Sequence, residues 1–181
     1  MEILTGWQTT DPAQDTLRHA VLAFLAARPD ACQRACVPGH ITASALVLDH
    51  TGTQTLLTLH PRFGRWLQLG GHCEDTDPDI RSAALREATE ESGIAGLAID
   101  PELAALHVHP VTCSLGVPTR HLDLQFVVRA PADAEIACSD ESLDLRWWPL
   151  DGLPTGTDFG LRHLAETTSS VAASTDSRQK A

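Results

Sequence analysis

Arg86-Glu87-Ala88-Thr89-Glu90-Glu91-Ser92-Gly93-Ile94 follows the glycine pair Gly70-Gly71 by fifteen residues, and these two segments decide how the chain is read. Glu87, Glu90 and Glu91 fall at i, i+3 and i+4, so on a helix they share one face. Like charges at that spacing repel and weaken a helix. Hard divalent cations such as Mg²⁺ take carboxylate oxygens, usually together with phosphate oxygens of a substrate. The pattern gives up helix stability for a cation site. The plainer reading, a solvated acidic face with Arg86 as its salt-bridge partner, leaves the glycine pair unexplained.

Outward from this stretch, Asp77 reads as an N-cap with Pro78 at the first helical position. Ile80, Ala84 and Ala88 form a small apolar stripe that the glutamates avoid. Ser92-Gly93 is the stop, with Gly93 in the left-handed conformation and Ile94 folding back. Residues 42–49 and 56–60 read as strands about a turn at 50–53, and residues 61–65 as a loop. A short apolar piece at 66–69 is broken by Gly70-Gly71, since glycine permits backbone geometries closed to other residues. Residues 103–111, 121–129 and 145–148 read as further strands. Helices are expected at 15–27, stopped by Arg28-Pro29, and at 158–166. Small polar residues from Thr167 onward suggest a disordered tail.

A glycine pair, an acidic loop, a helix and then Arg-Glu-x-x-Glu-Glu-x-Gly: over residues 40–165 the chain resembles the Nudix hydrolases. The family's box runs Gly, five residues, Glu, seven residues, Arg-Glu-aliphatic-x-Glu-Glu-x-Gly-aliphatic. Gly71, Arg86, Glu87, Glu90, Glu91, Gly93 and Ile94 match it. The chain departs from the box by one extra residue between Gly71 and Arg86, by the missing first glutamate, and by the small Ala88. In the family that glutamate pairs with the arginine matching Arg86, and either Asp77 or Asp79 stands where it could substitute. The resemblance implies an α/β fold, a Nudix-type α/β/α sandwich with a mixed β-sheet. Residues 40–166 would form the domain, residues 1–39 a helical extension packed on it, and residues 167–181 the tail. It also implies that Glu90 and Glu91 hold Mg²⁺ or Mn²⁺, that Glu87 is a further ligand or the catalytic base, and that the Gly71 carbonyl is another ligand. Several members carry a loop glutamate before a Trp-containing strand as base or extra metal ligand, and Glu141, ahead of Arg146-Trp147-Trp148, is the candidate here, with a plain surface acid as the alternative.

Composition narrows the partners. The formal net charge is −11, and Lys180 is the only lysine. Broad nucleic-acid binding relies on Lys and Arg to neutralise phosphates, so it is not expected. Nearly all the positive charge is arginine, whose planar fork grips phosphate. Arg62 and Arg65, on the loop before the glycine pair, and Arg120-His121 are candidates for holding the substrate. No apolar run approaches the roughly 20 residues that span a bilayer, so no membrane partner is expected. The first residues do not read as a signal peptide. Five cysteines without disulfide-framework spacing suit a reducing cytosol, and a cytoplasmic location is expected.

Trp66 is read as core or as a platform for a base, with core favoured. His107 and His109 share one strand face. With His60, His72 and His121 they either line the cleft or are satisfied interior histidines. Cys32-x-x-x-Cys36-x-x-x-His40 lacks a fourth zinc ligand and the spacing of a finger. Cys73 beside His72 could be redox-sensitive. The expected function is a metal-dependent pyrophosphohydrolase acting on a nucleoside-diphosphate-linked or related small molecule, with a homodimer left open. The alternatives are a non-catalytic Nudix-like nucleotide sensor and an isomerase resembling isopentenyl diphosphate isomerase, for which neither Cys73 nor Cys113 has matching surroundings.

Overall fold

The computed structural model describes residues 1–112 and 116–179. Helices α1 (Glu2–Gly6) and α2 (Pro12–Ala27) precede strands β1 (His40–Leu48), β2 (Gln54–His60), β3 (Arg65–Leu67) and β4 (Leu69–His72). Helix α3 (Ile80–Ser92) follows, then β5 (Ala98–Thr112), β6 (Pro118–Arg129), β7 (Leu145–Pro149) and α4 (Phe159–Gln179). One sheet runs β3-β2-β1-β6-β5, with β4 also paired to β1 and β7 to β2. The β1–β6 pair is parallel while the other pairs are antiparallel, so the sheet is mixed.

Strand β1 is buried along its whole length, as expected of a strand covered on both faces. Successive side chains alternate between the two layers. Ile41 and Ala43 pack with Leu4, Val21, Ala83 and Ala84, and Ala45 and Val47 with Ala88. Leu46 and Leu48 turn the other way, onto Leu161 and Leu164 of α4. The result is the α/β/α sandwich implied by the sequence. Toward the start of β1 the α4-side face changes character. His40, Thr42 and Ser44 replace leucine there, and the layer opens into a cleft.

Local differences from the sequence reading have identifiable causes. Helix α2 starts at Pro12, with Asp11 accepting from the Ala13 and Gln14 amides. Gln14 then both donates to and accepts from the Leu106 backbone, fixing the N-terminal segment to β5. Asp79, not Asp77, caps α3 by accepting from the Ser82 amide, because Asp77 is committed to Arg86. Gly93 ends α3 at φ 68°, the left-handed stop expected of it. Helix α4 continues past Glu166 to Gln179, where a tail had been expected. No Pro or Gly interrupts it after Gly160, and Thr168, Ser169 and Ser170 return their hydroxyls to carbonyls one turn back. Cys113 and the last two residues of the expected tail lie outside the described residues. Among the described residues, no helix is long and apolar enough to cross a membrane.

Gly70 and Gly71 do not interrupt a strand; they lie within β4, opposite Ser44 and Ala43. Gly70 has φ 148°, and a Cβ there would lie 2.5 Å from Ser44 Cα and 2.6 Å from the Ala43 carbonyl. Glycine is required because β4 lies so close to β1. Gly70→Ala should therefore cost about 2–4 kcal/mol, combining backbone strain with overpacking. Urea unfolding monitored by circular dichroism reads this, and a loss under about 0.5 kcal/mol, the size of an ordinary surface change, would refute the close-approach argument.

Candidate active site

Arg86 organises the site. It lies on α3, and its guanidinium donates twice to Asp77, through Nε and Nη2, at 3.0 Å each. Nη1 donates to Glu87 at 3.1 Å and to Glu90 at 3.0 Å, while Nη2 reaches the His72 carbonyl at 2.9 Å. One planar fork thus ties the loop, the helix and the end of β4 together, which a point-charge lysine could not do. Asp77 is held below the usual carboxylate range, chiefly by its hydrogen bonds from Arg86. Asp77 thus makes the arginine pairing that the missing box glutamate makes in the family, while Asp79 caps the helix and pairs with Arg81.

The three glutamates are held differently. Glu91 is anchored by the Gly70 amide, which donates at 3.0 Å. Burial pushes Glu91 up to about 8 against that hydrogen bond, and Glu87, Glu141 and Glu90 add repulsion. Burial also raises Glu87, although Arg86 opposes the shift. Gly71 leaves room for this side chain, since a Cβ there would lie 2.6 Å from Glu87 Oε1. Glu90 is more exposed and turns to Arg86. Four carboxylates, counting Glu141, therefore share a cleft in which Arg86 is the only cation bonded to any of them among the described contacts. Their chemistry fits a hard divalent cation, which takes oxygen ligands and relieves this repulsion.

Glu141 enters the cleft from residues 136–144, a segment tied down where Ser142 meets Thr58 Oγ1 at 2.5 Å and the Leu143 amide donates to Leu59. His60, His72, His107, His109 and His121 all line the same cleft, as does Arg34. Arg62, Arg65 and Arg120, expected at the substrate, are not among its lining residues. Arg65 belongs to β3, and Arg120 borders a separate shallow groove with Pro110 and Val111. Trp66 packs edge-on against Trp148 with ring centroids 5.3 Å apart, in the α4-side core and away from the cleft.

Some cleft residues carried no local sequence signal. Asp123 is 3% exposed and accepts from Thr42, Ser44 and Gln125 on the cleft floor. His40 does not join Cys32 and Cys36 in a metal set. Its Nδ1 contacts the Cys36 carbonyl, and Cys32, Cys36 and Cys73 are free cysteines. Register places His40 opposite His121 and His121 opposite His109. Burial holds His121 down to about 3 and His72 to about 4, with Arg34 and neighbouring histidines adding to the effect.

A family model described as the NUDIX domain matches residues 38–167. The chain belongs to the Nudix family. It is a pyrophosphohydrolase of that family, whose members use a divalent metal and act on small-molecule diphosphates. Solved structures with the same fold include a hydrolase of the NUDIX family from Clostridium perfringens. It is 22% identical, with 73% of this chain and 97% of that one covered and a TM-score of 0.56. A C. elegans Ap4A hydrolase in a binary complex is 21% identical, covering 74% and 98%, at 0.54. A UDP-X diphosphatase is 16% identical, covering 94% of this chain and 88% of that one, at 0.57. No curated protein matches the sequence.

Two outcomes follow for this Nudix chain. Arg86→Met leaves Asp77 buried without its cation, and should destabilise the protein by about 3–5 kcal/mol in chelator. A loss under about 1 kcal/mol in urea unfolding would show that Arg86 is merely a surface partner. The second concerns Glu91, whose carboxyl titrates near 4.5 when unfolded and at about 8 when folded. Between those values the native state holds a proton that the unfolded state lacks, so metal-free stability falls as pH rises. Glu91→Gln should flatten that decline and raise the melting temperature at pH 8 in chelator. An unchanged slope would contradict the burial of Glu91.

Proposed function

We propose that the chain hydrolyses a diphosphate linkage in a nucleoside-diphosphate-linked or related small molecule, using Mg²⁺ or Mn²⁺. The observation that carries this reading is the convergence of Glu87, Glu90, Glu91 and Glu141 on one cleft organised by Arg86. Glu87, Glu90 and Glu91 would hold the cation, with the Gly71 carbonyl as a further ligand. A divalent cation held there would supply positive charge for phosphate oxygens and help to activate a water.

The protein's own groups do the rest. Arg86 fixes the orientation of Glu87 and Glu90, and the Gly70 amide fixes Glu91, so the carboxylates are arranged before substrate arrives. Arg34 lies in the same cleft and donates to the phosphates, in place of Arg62, Arg65 and Arg120. Glu141 has no hydrogen-bond partner among the described residues, whereas Glu87, Glu90 and Glu91 are all engaged. We assign it the proton of the attacking water. The nearby Glu87 and Glu91 serve as ligands in this scheme. Among proteins of the same fold, an Ap4A hydrolase and a UDP-X diphosphatase favour a nucleotide-linked substrate. The chain's composition supports a cytoplasmic protein that binds neither nucleic acid nor membrane.

A panel of nucleotides, dinucleotides and nucleotide sugars with Mg²⁺ or Mn²⁺ tests the reading. Turnover of at least one compound is expected. Glu141→Gln should lower kcat by about 10²–10⁴-fold with KM little changed, and Glu90→Gln with Glu91→Gln should lose activity together with metal binding. Ligand binding in calorimetry without turnover of any compound would instead establish a non-catalytic sensor.

A further inference from the structure

The sheet register gathers three imidazoles beside the carboxylate site. His40 on β1 lies opposite His121 on β6, and His72, at the end of β4, lies opposite Thr42. The three rings contact one another, with centroids 5.0 to 5.2 Å apart. One nitrogen from each lies within 4.8 Å of the other two, and Nε2 of His40 and Nε2 of His72 are 3.1 Å apart. Among the described residues, no comparably tight group includes the glutamate oxygens.

Accounting for the ring protons shows what this cluster lacks. Arg34 donates to His72 Nδ1 at 3.0 Å, so neutral His72 carries its proton on Nε2. That proton goes to His40 Nε2, and the His40 Nδ1–H then donates to the Cys36 carbonyl at 3.4 Å. The chain of bonds ends there and never reaches His121. Its Nε2 is buried with no hydrogen-bond partner among the described residues. A buried ring nitrogen without a partner calls for one, and within this cluster no described protein group supplies it.

We infer that His40, His72 and His121 form a second cation site, for Zn²⁺ or a divalent ion of similar ligand preference, separate from the carboxylates. Imidazole nitrogen suits zinc, cobalt and nickel and is a poor ligand for Mg²⁺. Three protein ligands with one open position is the composition of catalytic zinc centres. Zn–N bonds of about 2.0–2.1 Å in a tetrahedron set nitrogens about 3.4 Å apart. The His40–His72 pair already lies near that spacing, and His121 has only to close in. The Cys36 carbonyl holds the proton on His40 Nδ1 and so presents Nε2 as the ligand, the outer partner that metal-bound histidines ordinarily have.

His72 and His121 line the cleft while His40 lies fully buried behind them, so the open position faces the substrate side. Loading requires His72 to move its proton from Nε2 to Nδ1. That N–H then meets the Arg34 guanidinium, donor against donor, and Arg34 must swing away. Arg34 thus opposes the cation. The inference does not depend on the hydrolytic reading, and either can fail alone.

The test uses the full-length chain, stripped with chelator and dialysed against Zn²⁺ with millimolar Mg²⁺ in excess. Metal content is read by mass spectrometry, and Co²⁺ loading by visible absorption. About one Zn²⁺ per chain should remain, including in a protein carrying Glu87→Gln, Glu90→Gln and Glu91→Gln. His121→Ala should weaken binding by about 100-fold or more, beyond what loss of an outer partner costs, and Arg34→Gln should tighten it. In the unmutated protein, Co²⁺ should give the intense visible bands of a nitrogen-ligated, low-coordinate ion, a readout that does not depend on any variant folding. Three results would overturn the inference: no Zn²⁺ retained against Mg²⁺, retention abolished by the glutamine triple but not by His121→Ala, or only the weak spectrum of an oxygen-ligated octahedral cobalt.

Discussion

Arg86 is the constraint on which the site depends. Its fork is satisfied by Asp77 on one side and by Glu87 and Glu90 on the other, with the His72 carbonyl between. The partners come from the loop, from α3 and from β4, so a single side chain sets how these three meet. An isolated row of like charges would weaken α3. With Arg86 in place, two of the charges are engaged, and repulsion is left concentrated on Glu91 and Glu87, the buried pair. The helix tolerates its acids because the arginine engages two of them, and in the proposed function a cation neutralises the rest.

The backbone around this hub depends on two glycines. Gly70 lets β4 lie against β1 closely enough for its amide to reach Glu91. Gly71 leaves the space that Glu87 occupies. Beyond them, β1 presents leucines to α4 along one half and Thr42, Ser44 and His40 along the other. One strand therefore serves as core and as cleft floor, changing role along its length without changing face.

Most of the fold and the acidic half of the site were legible in the sequence. Helix α3 has a Gly stop and an apolar stripe, signals that act within a few residues. The strands read as short apolar runs bounded by turn residues, and the Nudix box ties Glu87, Glu90 and Glu91 to Arg86. What could not be read depends on pairing between distant segments. His40, His72 and His121 come together only through the register of β1, β4 and β6, and in the chain His40 reads more naturally with Cys32 and Cys36. Asp123 looks like an ordinary strand residue until Thr42 and Ser44 are laid beside it. Arg62 and Arg65 lie near the box along the chain, yet the cleft is lined by Arg34, which no local pattern singles out. Asp77 and Asp79 are equivalent by spacing, and only the position of the Arg86 guanidinium separates them.

In the proposed function Arg86 organises Glu87, Glu90 and Glu91 into a hard-cation site. Anomalous diffraction from crystals soaked in Mn²⁺ tests it most directly. The expected result is a strong manganese peak bordered by the carboxylates of Glu87, Glu90 and Glu91, with Arg86 still bound to Asp77. Manganese absent from those carboxylates, or bound only at the histidines, would contradict it.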